Sequence, residues 1–114
     1  MGKYFKESEF KCKHCGDILL DDKLIPTLDA IREIYHKPMV INSGYRCPAY
    51  NKQVGGGPEH QMGMAADISC TNNKDRFELV AACLSEGITR IGIGDSFIHI
   101  GVSANLAQRV IWLY

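Results

Sequence analysis

Two short apolar runs, Arg90 to Gly94 and Phe97 to Gly101, are separated by Asp95 and Ser96 alone. A connection that short makes a tight antiparallel hairpin, with Gly94-Asp95-Ser96 as its turn. The rest of the chain must therefore fold around an antiparallel sheet. Within the second run the period of two sets Ile98 and Ile100 on one face and His99 on the other. The isoleucines belong in a core, which leaves the histidine on the opposite face.

Helical patterning supplies that core's other side. Leu24, Leu28, Ile31 and Tyr35 fall on one stripe behind Asp21 or Asp22, either of which can cap the helix, with Pro26 in its first turn. A second helix is expected after Asn72 or Asn73, with Phe77, Val80, Ala81 and Leu84 as its apolar face and Gly87 just past its end. Pro38 to Ile41 and Ala65 to Ser69 read as further strands, Val54 to Pro58 as a glycine loop, and Arg109 to Tyr114 as a last strand or a packed extended segment. Helices mixed with antiparallel strands make this an α+β chain, a small antiparallel sheet with flanking helices.

The chain has 114 residues, enough for a single domain spanning 1–114 and too few for two cores. Thirteen basic and thirteen acidic side chains cancel, so no overall field draws the protein to nucleic acid or to an anionic membrane. No apolar run reaches the roughly 18 to 20 residues of a membrane span, and the N-terminus lacks the apolar segment of a secretory signal. The expectation is a monomer made in the cytoplasm. Five cysteines, an odd number, suit reduced thiols or metal ligation better than a disulfide framework.

His60 and Asp67 are separated by six residues across the passage from the glycine loop into a strand, so both can face one cavity with His99. Two imidazoles and a carboxylate suit zinc with one position left open, the catalytic pattern. Spacing alone is equally compatible with a core histidine and two unrelated polar groups. No G-x-S-x-G context surrounds Ser43, which argues against a serine hydrolase, and Gly92-Ile93-Gly94 lacks the third glycine and following helix of a phosphate loop.

Read together, Ile41-Asn42-Ser43-Gly44-Tyr45-Arg46-Cys47-Pro48-Ala49-Tyr50-Asn51, Val54-Gly55-Gly56, His60 to Asp67-Ile68, Ile91 to Gly94 and Phe97 to Ile100 resemble the M15 peptidases. These are zinc D-Ala-D-Ala carboxypeptidases, dipeptidases and related phage endolysins, with a core shared by the hedgehog signalling domain. The resemblance implies that His60, Asp67 and His99 hold Zn2+. It implies that Arg46, with Tyr45 beside it, binds substrate, and that the substrate is a peptidoglycan stem peptide reached by a phage-type release route. Arg46 then also serves catalysis, its planar fork holding a carboxylate or a developing oxyanion.

The proton-transfer group departs from the pattern. Many relatives carry an acid three residues before the second histidine, where this chain has Ser96, and an aspartate two residues after it, where this chain has Gly101. Asp95 is the expected base, provided that a bulge brings it inward. Glu59 is the other acid near a ligand, and in an extended segment it faces away from His60. Loss of the base leaves a second function class open, a non-catalytic zinc-binding recognition module. Cys12-Lys13-His14-Cys15 has the C-x2-C spacing of a zinc knuckle without a second pair, so a metal there needs His14, Cys47 or Cys70, and packed free thiols are the simpler expectation.

Overall fold

The hairpin forms as its sequence requires. In the computed structural model, which describes residues 3–114, β3 (Arg90–Ile93) runs antiparallel to β4 (Phe97–Gly101), with Gly92 opposite His99 and Ile93 opposite Ile98. On the other side of β4 lies β2 (Ala65–Ser69), which pairs Asp67 with His99 and Ile68 with Ile98. The edge strand β1 (Ile41–Ser43) pairs with β2 through a register irregularity that sets Ser43 opposite Asp67. This strand begins later than the expected Pro38. Val40 still accepts the Ser69 N–H at 2.9 Å, but the ladder starts only at Ile41.

At the far edge, β5 (Val110–Leu113) joins β3 in parallel, giving a five-stranded sheet in the order β1-β2-β4-β3-β5. The α+β class holds, and the tail is a strand. The sheet is mixed rather than purely antiparallel, because the segment between β4 and β5 carries the chain back to the start of β3.

One sheet face presents Ile68, Ile91, Ile98 and Ile100 to the helices, all at most 1% exposed. Against it packs α1 (Leu24–Tyr35), whose Leu24, Leu28 and Ile31 are fully buried as their stripe predicts. Asp21 accepts the Lys23 N–H at 2.9 Å just before this helix. The second long helix, α4 (Asn73–Ser85), starts as expected, with the Asn72 side chain accepting the Asp75 N–H at 2.8 Å.

The buried stripe of α4 is not the expected one. Phe77 and Leu84 are 76% and 54% exposed, Ala81 is exposed, and the core takes Leu79, Ala82 and Cys83. Small side chains at 82 and 83 let α4 lie close to α1 and the sheet, so packing distance overrides residue size as the guide to the inner face. Two short helices are additional to the expected elements. Both α2 (Pro48–Gln53) and α3 (Pro58–Gln61) begin at a proline, where the missing N–H costs nothing. Among the described residues no helix is long and apolar enough to cross a membrane.

Candidate metal centre

The sheet face away from the helices carries one transverse row: Ser43, Asp67, His99, Gly92 and Trp112, neighbours across successive strands. Asp67 and His99 therefore meet because they are cross-strand partners. His60 reaches them from α3, and ligand atoms of the three residues all lie within 4.8 Å of one another, each residue buried.

Hydrogen bonding fixes which nitrogens face inward. His60 Nδ1 donates to the Gly44 carbonyl at 2.7 Å, and His99 Nε2 donates to Glu59 Oε1 at 2.9 Å. The remaining nitrogens, His60 Nε2 and His99 Nδ1, stand 3.1 and 3.0 Å from the same oxygen, Asp67 Oδ1. Two neutral imidazoles would aim two lone pairs at a carboxylate, an arrangement that a proton on an imidazole or a bound cation must relieve. With two nitrogen donors and one oxygen, and with both outer nitrogens already held by acceptors, the set fits zinc. The same contacts govern the charges. Burial pushes the Asp67 carboxyl up, but His60 and His99 pull it well below the ordinary carboxylate range. Burial lowers His99, and Asp67 with Glu59 more than reverses that, so its imidazolium is favoured until a metal displaces the proton.

Arg46 belongs to the same cluster. Its Nη2 donates to Asp67 Oδ2 at 3.3 Å, its Nε to Ser43 Oγ at 3.1 Å and its Nη1 to Asn51 Oδ1 at 3.3 Å. Three acceptors from three segments hold the guanidinium at the rim of the site. Tyr45, beside Arg46 in the chain, donates its backbone N–H to the Phe10 carbonyl at 2.8 Å, and burial with the nearby charges of Cys47, Cys15, Asp17 and Cys12 raises its hydroxyl's pKa.

Asp95 is exposed in the hairpin turn, and no hydrogen bond to its carboxylate is found among the described residues. The ladder runs unbroken from His99 to Ile98, so the inward bulge is absent. Asp95 sits in the turn before β4, two residues before the strand begins and four before His99, with its side chain in solvent. The acid at the cluster is Glu59, 2% exposed, and the expectation that it faces away is corrected. That expectation assumed an extended segment. Because Pro58 opens a helical turn, successive residues are about 100° apart rather than opposed, and Glu59 and His60 both point inward.

Glu59 Oε2 lies 2.9 Å from Arg90 Nε and accepts the Ser103 N–H at 3.4 Å. Its carboxylate thus accepts hydrogen bonds from His99 and the Ser103 N–H and is ion-paired with Arg90, whose buried Nε has no hydrogen bond of good geometry. Though burial opposes it, His99 and Arg90 together lower its pKa. Beside it is a cavity of about 280 Å³ lined by Pro58, Glu59, Arg90, His99, Trp112 and Tyr114. The Trp112 ring packs 5.2 Å from His99 and the Arg90 guanidinium stands 5.1 Å from the indole. Gly92 makes this possible, because a Cβ there would stand 2.7 Å from both the indole nitrogen and the Tyr114 ring. Sequence reasoning missed Arg90, Trp112 and Tyr114. The period of two was the available signal, since Arg90 shares a face with Gly92, as does Tyr114 with Trp112.

The Peptidase M15 family model matches residues 3–102. This chain belongs to that family. M15 peptidases are zinc-dependent metallopeptidases, and the buried His60, Asp67 and His99 form a candidate ligand set here. No curated protein matches the chain. In this M15 peptidase the aromatic wall from β5 lies beyond the matched residues.

A second group, Cys12, Cys15 and Cys47, also brings its sulfur atoms within 4.8 Å of one another. Burial opposes ionisation of Cys12, but backbone N–H groups of Cys47, Cys15 and His14 outweigh it and bring the thiol down to about 6.

Proposed function

We propose that this zinc peptidase cleaves peptidoglycan stem peptides, at a D-Ala-D-Ala or related bond, and so acts at the cell wall. The observation that carries the reading is the placement of Arg46, a permanent cation whose Nη2 is 3.3 Å from Asp67 Oδ2 in the ligand cluster. A planar fork there suits a terminal carboxylate or the oxygen of a carbonyl under attack. The cavity of about 280 Å³ is suited to a short peptide end rather than a folded chain.

When bound, zinc supplies Lewis acidity toward the scissile carbonyl and lowers the pKa of water. The chain's own residues do the positioning. Glu59 holds the His99 ring through Nε2, Gly44 holds His60 through Nδ1, and Arg46 holds the substrate oxygen. Trp112 and Tyr114 exclude water from one side of the cavity.

One observation favours the alternative, a zinc-binding recognition module without turnover. Glu59 is committed to His99 and Arg90, Ser96 stands where relatives have an acid, and Asp95 is remote from the cluster. Incubating the zinc-loaded protein with a D-Ala-D-Ala-terminated peptide and with peptidoglycan, with and without chelator, separates the two. Chelator-sensitive release of D-alanine supports the peptidase reading. Zinc-dependent binding of either probe without cleavage establishes the recognition module, and cleavage of other peptides alone overturns the substrate.

A further inference from the structure

We propose that Cys12, Cys15 and Cys47, with His14 as fourth ligand, hold a second zinc ion whose role is structural. The three sulfurs come from segments 35 residues apart, yet all lie within 4.8 Å of one another. Sulfurs on one tetrahedral zinc stand about 3.8 Å apart, given Zn–S bonds of about 2.3 Å. Three thiols cannot all be paired as disulfides, and all are free.

The local backbone has the shape of a ligand turn. Cys12 N–H donates to Asp17 O and Gly16 N–H returns to Cys12 O, both at 2.8 Å, which folds Cys15 back over Cys12. The Cys47 N–H points at Cys12 Sγ from 3.3 Å, a donor placed to stabilise sulfur charge. His14 lies between the two cysteines of the turn. Its Nδ1 is 3.6 Å from Cys47 Sγ, and its exposed ring stacks on Tyr50 of α2 at 5.7 Å and 12°. His14 lies outside the group of three sulfurs within 4.8 Å of one another, so closing the tetrahedron requires that ring to move toward Cys12 and Cys15.

The position explains why a staple is useful. From Lys11 to Leu19 every side chain except Cys12 is exposed, so this stretch has almost no apolar anchor of its own. Cys47 is the residue after Arg46 and precedes α2 without a side-chain cap. A metal bridging 12, 15 and 47 therefore ties the loose segment to the loop that carries the substrate-binding arginine.

The test uses reduced full-length protein loaded with Co2+, whose thiolate charge-transfer absorption in the near ultraviolet is absent from a site of two histidines and an aspartate. The proposal expects that band in the wild type, its loss in Cys15→Ser and its retention in His99→Ala. Cys15 is exposed, so the serine substitution removes no buried packing, and circular dichroism checks that the fold is kept. Metal analysis should find one zinc fewer in Cys15→Ser than in the wild type. A folded, reduced wild type without the band, or one whose thiols alkylate equally fast with and without chelator, overturns the proposal. Neither result touches the peptidase reading, which is scored by D-alanine release.

Discussion

Gly101→Ala tests whether the Glu59 carboxylate is what the site is built around. Gly101 lies within β4 and its φ is not in the left-handed region, so alanine suits the backbone and would ordinarily stabilise the strand slightly. Here an added Cβ would stand 2.5 Å from the Glu59 carboxyl carbon and closer still to both oxygens. An ordinary carbon–carbon contact is about 3.5 Å or more, so the carboxylate must retreat by about 1 Å. A free glutamate would make that move at little cost, but this one is hydrogen-bonded to His99 at 2.9 Å and ion-paired with Arg90. Losing a charge-assisted hydrogen bond costs about 1.5 to 3 kcal/mol. A net loss of about 2 kcal/mol corresponds to roughly 8 °C in Tm for a domain of this size. Urea melts in chelator, which keep zinc linkage out of the number, should show it. The decisive measurement is the double-mutant cycle. In a Glu59→Ala background Gly101→Ala should cost less than about 0.5 kcal/mol, because nothing is left to displace. Equal costs in the two backgrounds would refute the argument and detach Gly101 from Glu59.

The remaining expectations concern the site itself. His60→Ala and His99→Ala should each abolish the zinc held by that cluster together with peptide hydrolysis, as metal analysis and product release will show. Arg46→Lys should lower kcat/KM by roughly tenfold or more while leaving Tm nearly unchanged, since lysine keeps the charge and loses the fork; equal losses of both would make Arg46 a fold residue. Glu59→Gln should weaken zinc about 10- to 100-fold in a competition titration, the usual cost of losing an outer carboxylate. Asp95→Asn should change neither zinc affinity nor kcat, and a large loss of kcat would return Asp95 to the mechanism.

The hairpin, the Leu24 to Ile31 stripe and the placement of His99 opposite the isoleucine face were legible because each rests on periodicity within a few residues. His60, Asp67 and His99 were legible as a set from their residue types and neighbours, and the structure brings them together. The inner face of α4 was not, because Leu79, Ala82 and Cys83 make a weaker local pattern than Phe77 and Leu84. The choice depends on how near α1 lies. Glu59 defeats the sequence pattern for a single reason: Pro58 reads as the end of a glycine loop, and it is the start of a helical turn. Cys47 could not be joined to Cys12 and Cys15 from spacing, since a contact across 35 residues leaves no periodic trace.

Two of the three proposed zinc ligands are fixed by backbone pairing. Asp67 and His99 are opposite each other in an antiparallel ladder, so the interstrand hydrogen bonds act as a ruler that side-chain evolution cannot easily reset. His60 is different. It arrives on a four-residue helix behind Gly55, Gly56 and Gly57, a loop outside the sheet that Asn51 holds through the Gly56 and Gly57 carbonyls. Changes in that glycine segment would move one ligand against an invariant pair, widening or narrowing the site without disturbing a strand. Metal preference in this architecture is therefore adjustable through one loop, and a directed search for cobalt- or manganese-selective variants should begin there.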